Sequence, residues 1–201
     1  LLSNIFSDSL NITVSLPLQR LEAYLLGSEV FRETFGVSCP DGIVSVLETC
    51  DEPLLAEAYR ERIKAENGKT VFVAGMTARP DRLDRSFPES LLNGFGGIPE
   101  AECALEALGW RDGDAVRLIG CTSLETVENW LGVPTDTYLK PHPVHALSAF
   151  ILALNVKPFL AIIAAQAYLE EDDPSLLLGL LDKNCVIRLA VVEDSAIGIR
   201  S

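Results

Sequence analysis

Glu193 and Asp194 stand side by side at the end of an apolar run, Val186 to Val192, broken only by Arg188. Two adjacent carboxylates at a buried strand end are costly unless a cation or hydrogen bonds compensate them. Magnesium, a hard cation that takes carboxylate oxygens, is the matching partner. Two further apolar runs finish in hydroxyls, one at Thr77 and one at Thr122-Ser123. Such hydroxyls either hold the oxygens of a ligand or cap the helix that follows. Lys140 is the fourth group, in Lys140-Pro141-His142-Pro143. The two prolines hold the lysine just before a helix N-terminus, a natural place for phosphate. The plainer alternative is a surface lysine in a Pro-rich turn.

These groups work together only if the elements carrying them bring them to one place. Residues 17–65 read as helical, with a Val/Cys/Pro/Gly break at about 37–43. Thr70 to Ala74 reads as a short buried strand, followed by a polar loop through Pro80. Residues 79–99, rich in Pro, Gly, Arg and Asp, read as an exposed loop or link. Pro99 to Leu108 is a helix ended by Gly109, and Ala115 to Gly120 is a second strand. Helices follow over Leu124–Leu131, Val144–Leu154, Phe159–Leu169 and Leu176–Leu181 before the final strand. Strands alternating with helices predict an α/β fold with a mostly parallel sheet. In such a sheet the three polar strand ends gather at one edge.

The 29 Asp and Glu residues against 16 Lys and Arg give a net charge of −13. That argues against a non-specific nucleic-acid binder or an anionic-membrane binder, both of which need surplus cations. A phosphorylated small molecule is still accommodated, because one local cation outweighs a distant acidic surface. The five cysteines are not closely spaced. They fit reduced thiols in a cytosolic, hence cytoplasmic, protein better than a zinc site or disulfide framework. Val144 to Leu169 is apolar, but Asn155, Lys157 and Pro158 interrupt it, so it reads as two buried helices rather than a membrane span. His142 and His145 are the two histidines of the chain and read as helix N-terminal or packing groups rather than metal ligands. Gly94-Phe95-Gly96-Gly97 completes no dinucleotide motif, and Arg79, Arg82 and Arg85 read as solvated loop charge.

The order of these motifs resembles the haloacid dehalogenase superfamily over about residues 115–201. The match is carried by Thr122-Ser123, by KPHPVHAL at 140–147 and by VVEDSAIGIRS at 191–201. The resemblance implies a Rossmann-like three-layer core with a parallel sheet, spanning 67–201 with a helical insertion at about 156–183. Residues 1–66 would form a helical region, a possible cap. It implies a phosphatase-like hydrolase that acts on a small phosphate ester through magnesium. Thr122, with Ser123 adjacent, would bind the phosphoryl oxygens, Lys140 would offset their charge, and Asp194 with Glu193 would hold the metal. The catalytic set is then Thr122, Lys140 and Asp194. The family nucleophile belongs to an Asp-x-Asp at a strand end, and none follows an apolar strand before Thr122. Asp112-Gly113-Asp114 precedes its strand, and Phe6-Ser7-Asp8-Ser9 is at most a remnant. With no initial Met, the chain reads as trimmed. An Asp-x-Asp upstream of Leu1 would make the protein an enzyme. Without one it would be a catalytically inactive relative that binds or interacts.

Overall fold

The computed structural model describes residues 12–50, 56–69, 72–92, 97–110 and 116–180. In chain order they form helices α1 (Leu16–Leu26), α2 (Ser28–Phe35), α3 (Val46–Thr49) and α4 (Glu57–Glu66), then strand β1 (Ala74–Met76). Helix α5 (Glu100–Ala107) leads to strand β2 (Arg117–Ile119). Helices α6 (Cys121–Leu131), α7 (Pro143–Ala153), α8 (Pro158–Glu170) and α9 (Ser175–Leu180) follow. The two strands pair in parallel, with Ala74 opposite Arg117 and Met76 opposite Ile119. The α/β class and a parallel pair are therefore present. The third expected strand, Val186–Val192, lies outside the described residues.

Local chemistry sets the helix borders. Ser15 caps α1, its hydroxyl accepting from Leu18 N–H, and Pro17 occupies the first turn. Gly36 and Gly132, both left-handed, close α2 and α6. Pro143 and Pro158 open α7 and α8, so the apolar stretch divides where Asn155 to Pro158 predicts. No helix among the described residues is long and apolar enough to cross a membrane.

Two apolar clusters hold the elements. The smaller joins Ile12, Ala23, Leu26, Phe31 and Phe35, with Ile98 and Cys103 packed against it, so α1 and α2 rest on α5. The larger is centred on α8, whose Ala161, Ile162, Ala164 and Ala165 are fully buried against α6, α7 and Ile119. Helix α8 is thus interior, as the reading of Val144–Leu169 as two buried helices expects, and this part of the 156–183 segment belongs to the core rather than being added to it. Its alanines let neighbouring helices approach closely, and its apolar side chains would cost too much in water.

The 79–99 segment also differs from expectation. Asp81 and Phe87 within it are buried to 1% and 2% exposure. The segment tucks between two glycines because neither carries a side chain. A Cβ on Gly120 would lie 2.5 Å from the Arg79 carbonyl oxygen and 2.7 Å from the Asp81 carboxyl. One on Gly97, at φ +94°, would lie 2.2 Å from the Asp81 carbonyl oxygen. Gly120→Ala should therefore lower stability by about 2–3 kcal/mol through forced separation of these backbones. The change is measurable as a shift in the urea midpoint, and an unshifted midpoint would show that the segment yields freely.

Candidate functional site

The parallel pair places the carboxyl ends of β1 and β2 at one edge, and the Ile119 carbonyl sits at its centre. It accepts Thr77 N–H at 3.1 Å and is 3.1 Å from His145 Nε2. A carbonyl only accepts, so Nε2 carries the proton and Nδ1 carries the lone pair. His145 is fully buried, and Nδ1 has no hydrogen-bond partner among the described residues. Burial lowers the imidazole pKa, the Ile119 bond opposes this, and the Lys140 charge lowers it further. His145 is neutral at physiological pH. His142 caps α7, its Nδ1 accepting Val144 N–H at 3.3 Å while Nε2 lies 3.4 Å from Glu170. Both histidines thus serve the start of α7, in the helix N-terminal and packing roles that the sequence reading favours.

Asp81 closes the second part of the edge. Its carboxylate accepts Ser123 N–H at 3.0 Å and the Ser123 hydroxyl at 2.6 Å. It also accepts Gly120 N–H, so it fills the positive N-terminus of α6. Burial pushes the Asp81 pKa up, and the bonds from Ser123 and Gly120 pull the other way. Asp81 N–H in turn donates to the Thr122 hydroxyl at 3.2 Å. Cys121, in the same turn, is pushed up to about 12, chiefly by burial and then by Glu125, so its thiol stays protonated.

Glu128 prepares the approach to Lys140. Fully buried on α6, it accepts Asp136 N–H at 2.9 Å and also accepts Tyr138 N–H. These bonds shape the turn that enters Lys140-Pro141, a cis peptide, while Lys140 itself is exposed.

The sequence-derived residues therefore fall into three groups. Thr122 and Ser123 lie in the first turn of α6 rather than on a strand end, because the helix already begins at Cys121. The Ser123 hydroxyl is buried and turned onto Asp81. Lys140 leads into the helix whose His145 bonds the end of β2. Glu193 and Asp194, the expected magnesium ligands, lie outside the described residues. Among the described residues, no group of three or more His, Cys, Asp or Glu is arranged to hold a metal. Sequence reasoning missed Asp81 and Glu128. The Arg79-Pro80-Asp81 turn signal marks the first, but nothing local marks its partner 42 residues on.

Beside this edge, α1 and α5 bury carboxylates. Glu22 is 5% exposed, and its Oε2 has no hydrogen-bond partner among the described residues. Burial, reinforced by the neighbouring Glu100, pushes its pKa up to about 7. Glu100 lies 3.7 Å from Arg79, and burial still raises its pKa. Glu102, which accepts Arg82 N–H at 3.0 Å, is likewise pushed to about 7 by burial.

Comparison with protein-family models, with curated proteins and with solved structures returns no match for this chain.

A carboxyl whose pKa is raised by folding holds its proton in the native state after the unfolded chain has lost it. Stability should then be greatest below pH 4.5 with respect to Glu22 and fall as pH rises to about 7. Glu22→Gln should flatten part of this slope and raise stability at pH 8 by about 1–2 kcal/mol. Urea unfolding at pH 5 and pH 8 tests it, and a variant as pH-sensitive as wild type would remove Glu22 as the cause.

Proposed function

We propose that this chain is the phosphate-binding core of a haloacid dehalogenase-type hydrolase, acting on a small phosphate ester through magnesium. One observation carries the proposal: the Ile119 carbonyl ties Thr77, at the end of β1, to the first turn of α7 behind Lys140. On this reading a hydroxyl-bearing strand end, the start of α6 and a lysine would border the same edge, where ligands of parallel sheets bind. Thr122 would donate its hydroxyl proton to a phosphoryl oxygen while its oxygen accepts from Asp81 N–H. Lys140 would oppose the charge that accumulates on the phosphoryl group. Magnesium, held by Glu193 and Asp194, would neutralise phosphoryl oxygens and orient the ester. These residues bind and stabilise charge, and none of them is the attacking carboxylate.

A second reading, a non-catalytic relative that binds phosphorylated ligands or partners, is favoured by Asp81. Its carboxylate already takes Ser123 N–H and Gly120 N–H, so an internal anion occupies part of the helix terminus a phosphate would use.

Hydrolysis of p-nitrophenyl phosphate with magnesium by the full-length protein, including any sequence upstream of Leu1, together with phosphate binding followed by NMR, separates the two. A hydrolase should lose on the order of 100-fold in kcat/KM in Lys140→Ala. Its melting temperature should change little, because Lys140 is exposed. Binding without turnover would establish the second reading. Equal turnover by both proteins would remove Lys140 from the site.

A further inference from the structure

His145 is a poor choice for a purely structural interior position. Its ring is fully buried, yet Nδ1 has no hydrogen-bond partner among the described residues. An unpaired buried acceptor costs free energy that a Leu or Met of similar volume would avoid. Packing therefore does not account for an imidazole at this position. The Nε2–H donor does, because it reaches the one carbonyl that also receives Thr77 N–H.

We propose that His145 is the positioning residue that holds Lys140 at the carboxyl edge of the β1–β2 pair, acting as a neutral imidazole protonated on Nε2. The connection between the two residues is short and stiff. His142 N–H donates to the Leu139 carbonyl at 2.8 Å, Val144 N–H to His142 Nδ1 at 3.3 Å, and His145 N–H to the His142 carbonyl at 3.2 Å. Pro141 and Pro143 remove further backbone freedom within the same stretch. A displacement of the His145 ring is therefore passed to Lys140 rather than absorbed between them. Glu128 braces the other side of Lys140 through Asp136 and Tyr138, so the lysine hangs between two buried anchors.

The charge state belongs to the same device. The Lys140 charge acts on the ring, and a protonated His145 would add a second cation to a buried position. It would also turn Nδ1 into a buried donor facing no acceptor among the described residues. Neutral His145 holds the lysine without repelling it. The proposal rests on the phosphate-ester reading for what Lys140 contacts, but not for where Lys140 is held.

Three variants and three measurements test this. His145→Gln carries an amide donor near the position of Nε2, His145→Asn is too short to reach Ile119, and His145→Leu fills the space without a donor. Long-range proton–nitrogen NMR of the wild type at pH 7 should show the neutral Nε2–H tautomer. Hydrogen exchange at the His142, Val144 and His145 amides should accelerate about tenfold or more in the Asn and Leu variants, relative to α8 amides, and stay near wild type in Gln. Inorganic phosphate affinity should fall by a similar factor in Asn and Leu, with Gln within about threefold of wild type. An Nδ1–H tautomer, an imidazolium, a Gln variant matching Leu, or a Leu variant matching wild type would each overturn the proposal. Wild type that binds no phosphate would overturn the phosphate-ester reading, and the exchange and tautomer measurements would still decide the role of His145. Should the variants not fold, the wild-type tautomer decides it.

Discussion

The carbonyl of Ile119 is the point on which the site edge depends. In a parallel pair each carbonyl near a strand end has two lone pairs, and the ladder uses one of them. Here Thr77 N–H takes the ladder position and His145 Nε2–H takes the other. Two strands and a helix start are thereby fixed to a single oxygen in a buried setting, where a hydrogen bond is strong and its loss is expensive. Thr77 and the first turn of α7 meet at this junction.

Asp81 performs a comparable task for α6. The four N–H groups at a helix start need acceptors, and the usual source is a residue just before the helix. Gly120 occupies the capping position and has no side chain to offer. The carboxylate comes instead from the loop after β1, and the absence of a Cβ on Gly120 is what lets that loop approach. The same glycine is therefore both the missing cap and the space for its replacement. The arrangement carries a functional consequence: an anion from the chain itself already sits at the helix terminus nearest Thr122.

Acidity in this chain is not spread over the surface alone. Glu22, Glu100, Glu102 and Asp81 are drawn inward around Arg79 and the start of α6. Burial in each case favours the protonated form, because an ionised carboxyl loses its water there. The smaller core, built on α1, α2 and α5, is consequently linked to proton activity near neutrality.

What the amino-acid sequence determined by itself is local. Prolines at 17, 143 and 158 and glycines at 36 and 132 mark helix borders because they act through backbone angles within one turn. The separation of α7 from α8, the capping role of His142 and the parallel strand–helix alternation are legible for the same reason. The burial of the segment after Pro80 and the Asp81–Ser123, Glu128–Tyr138 and His145–Ile119 bonds were not legible. Their partners are 42, 10 and 26 residues apart, and no residue pattern of three or four marks such a pairing. Tertiary structure decided them because burial removes water as an alternative partner, which leaves each polar group to find its match wherever the fold brings one.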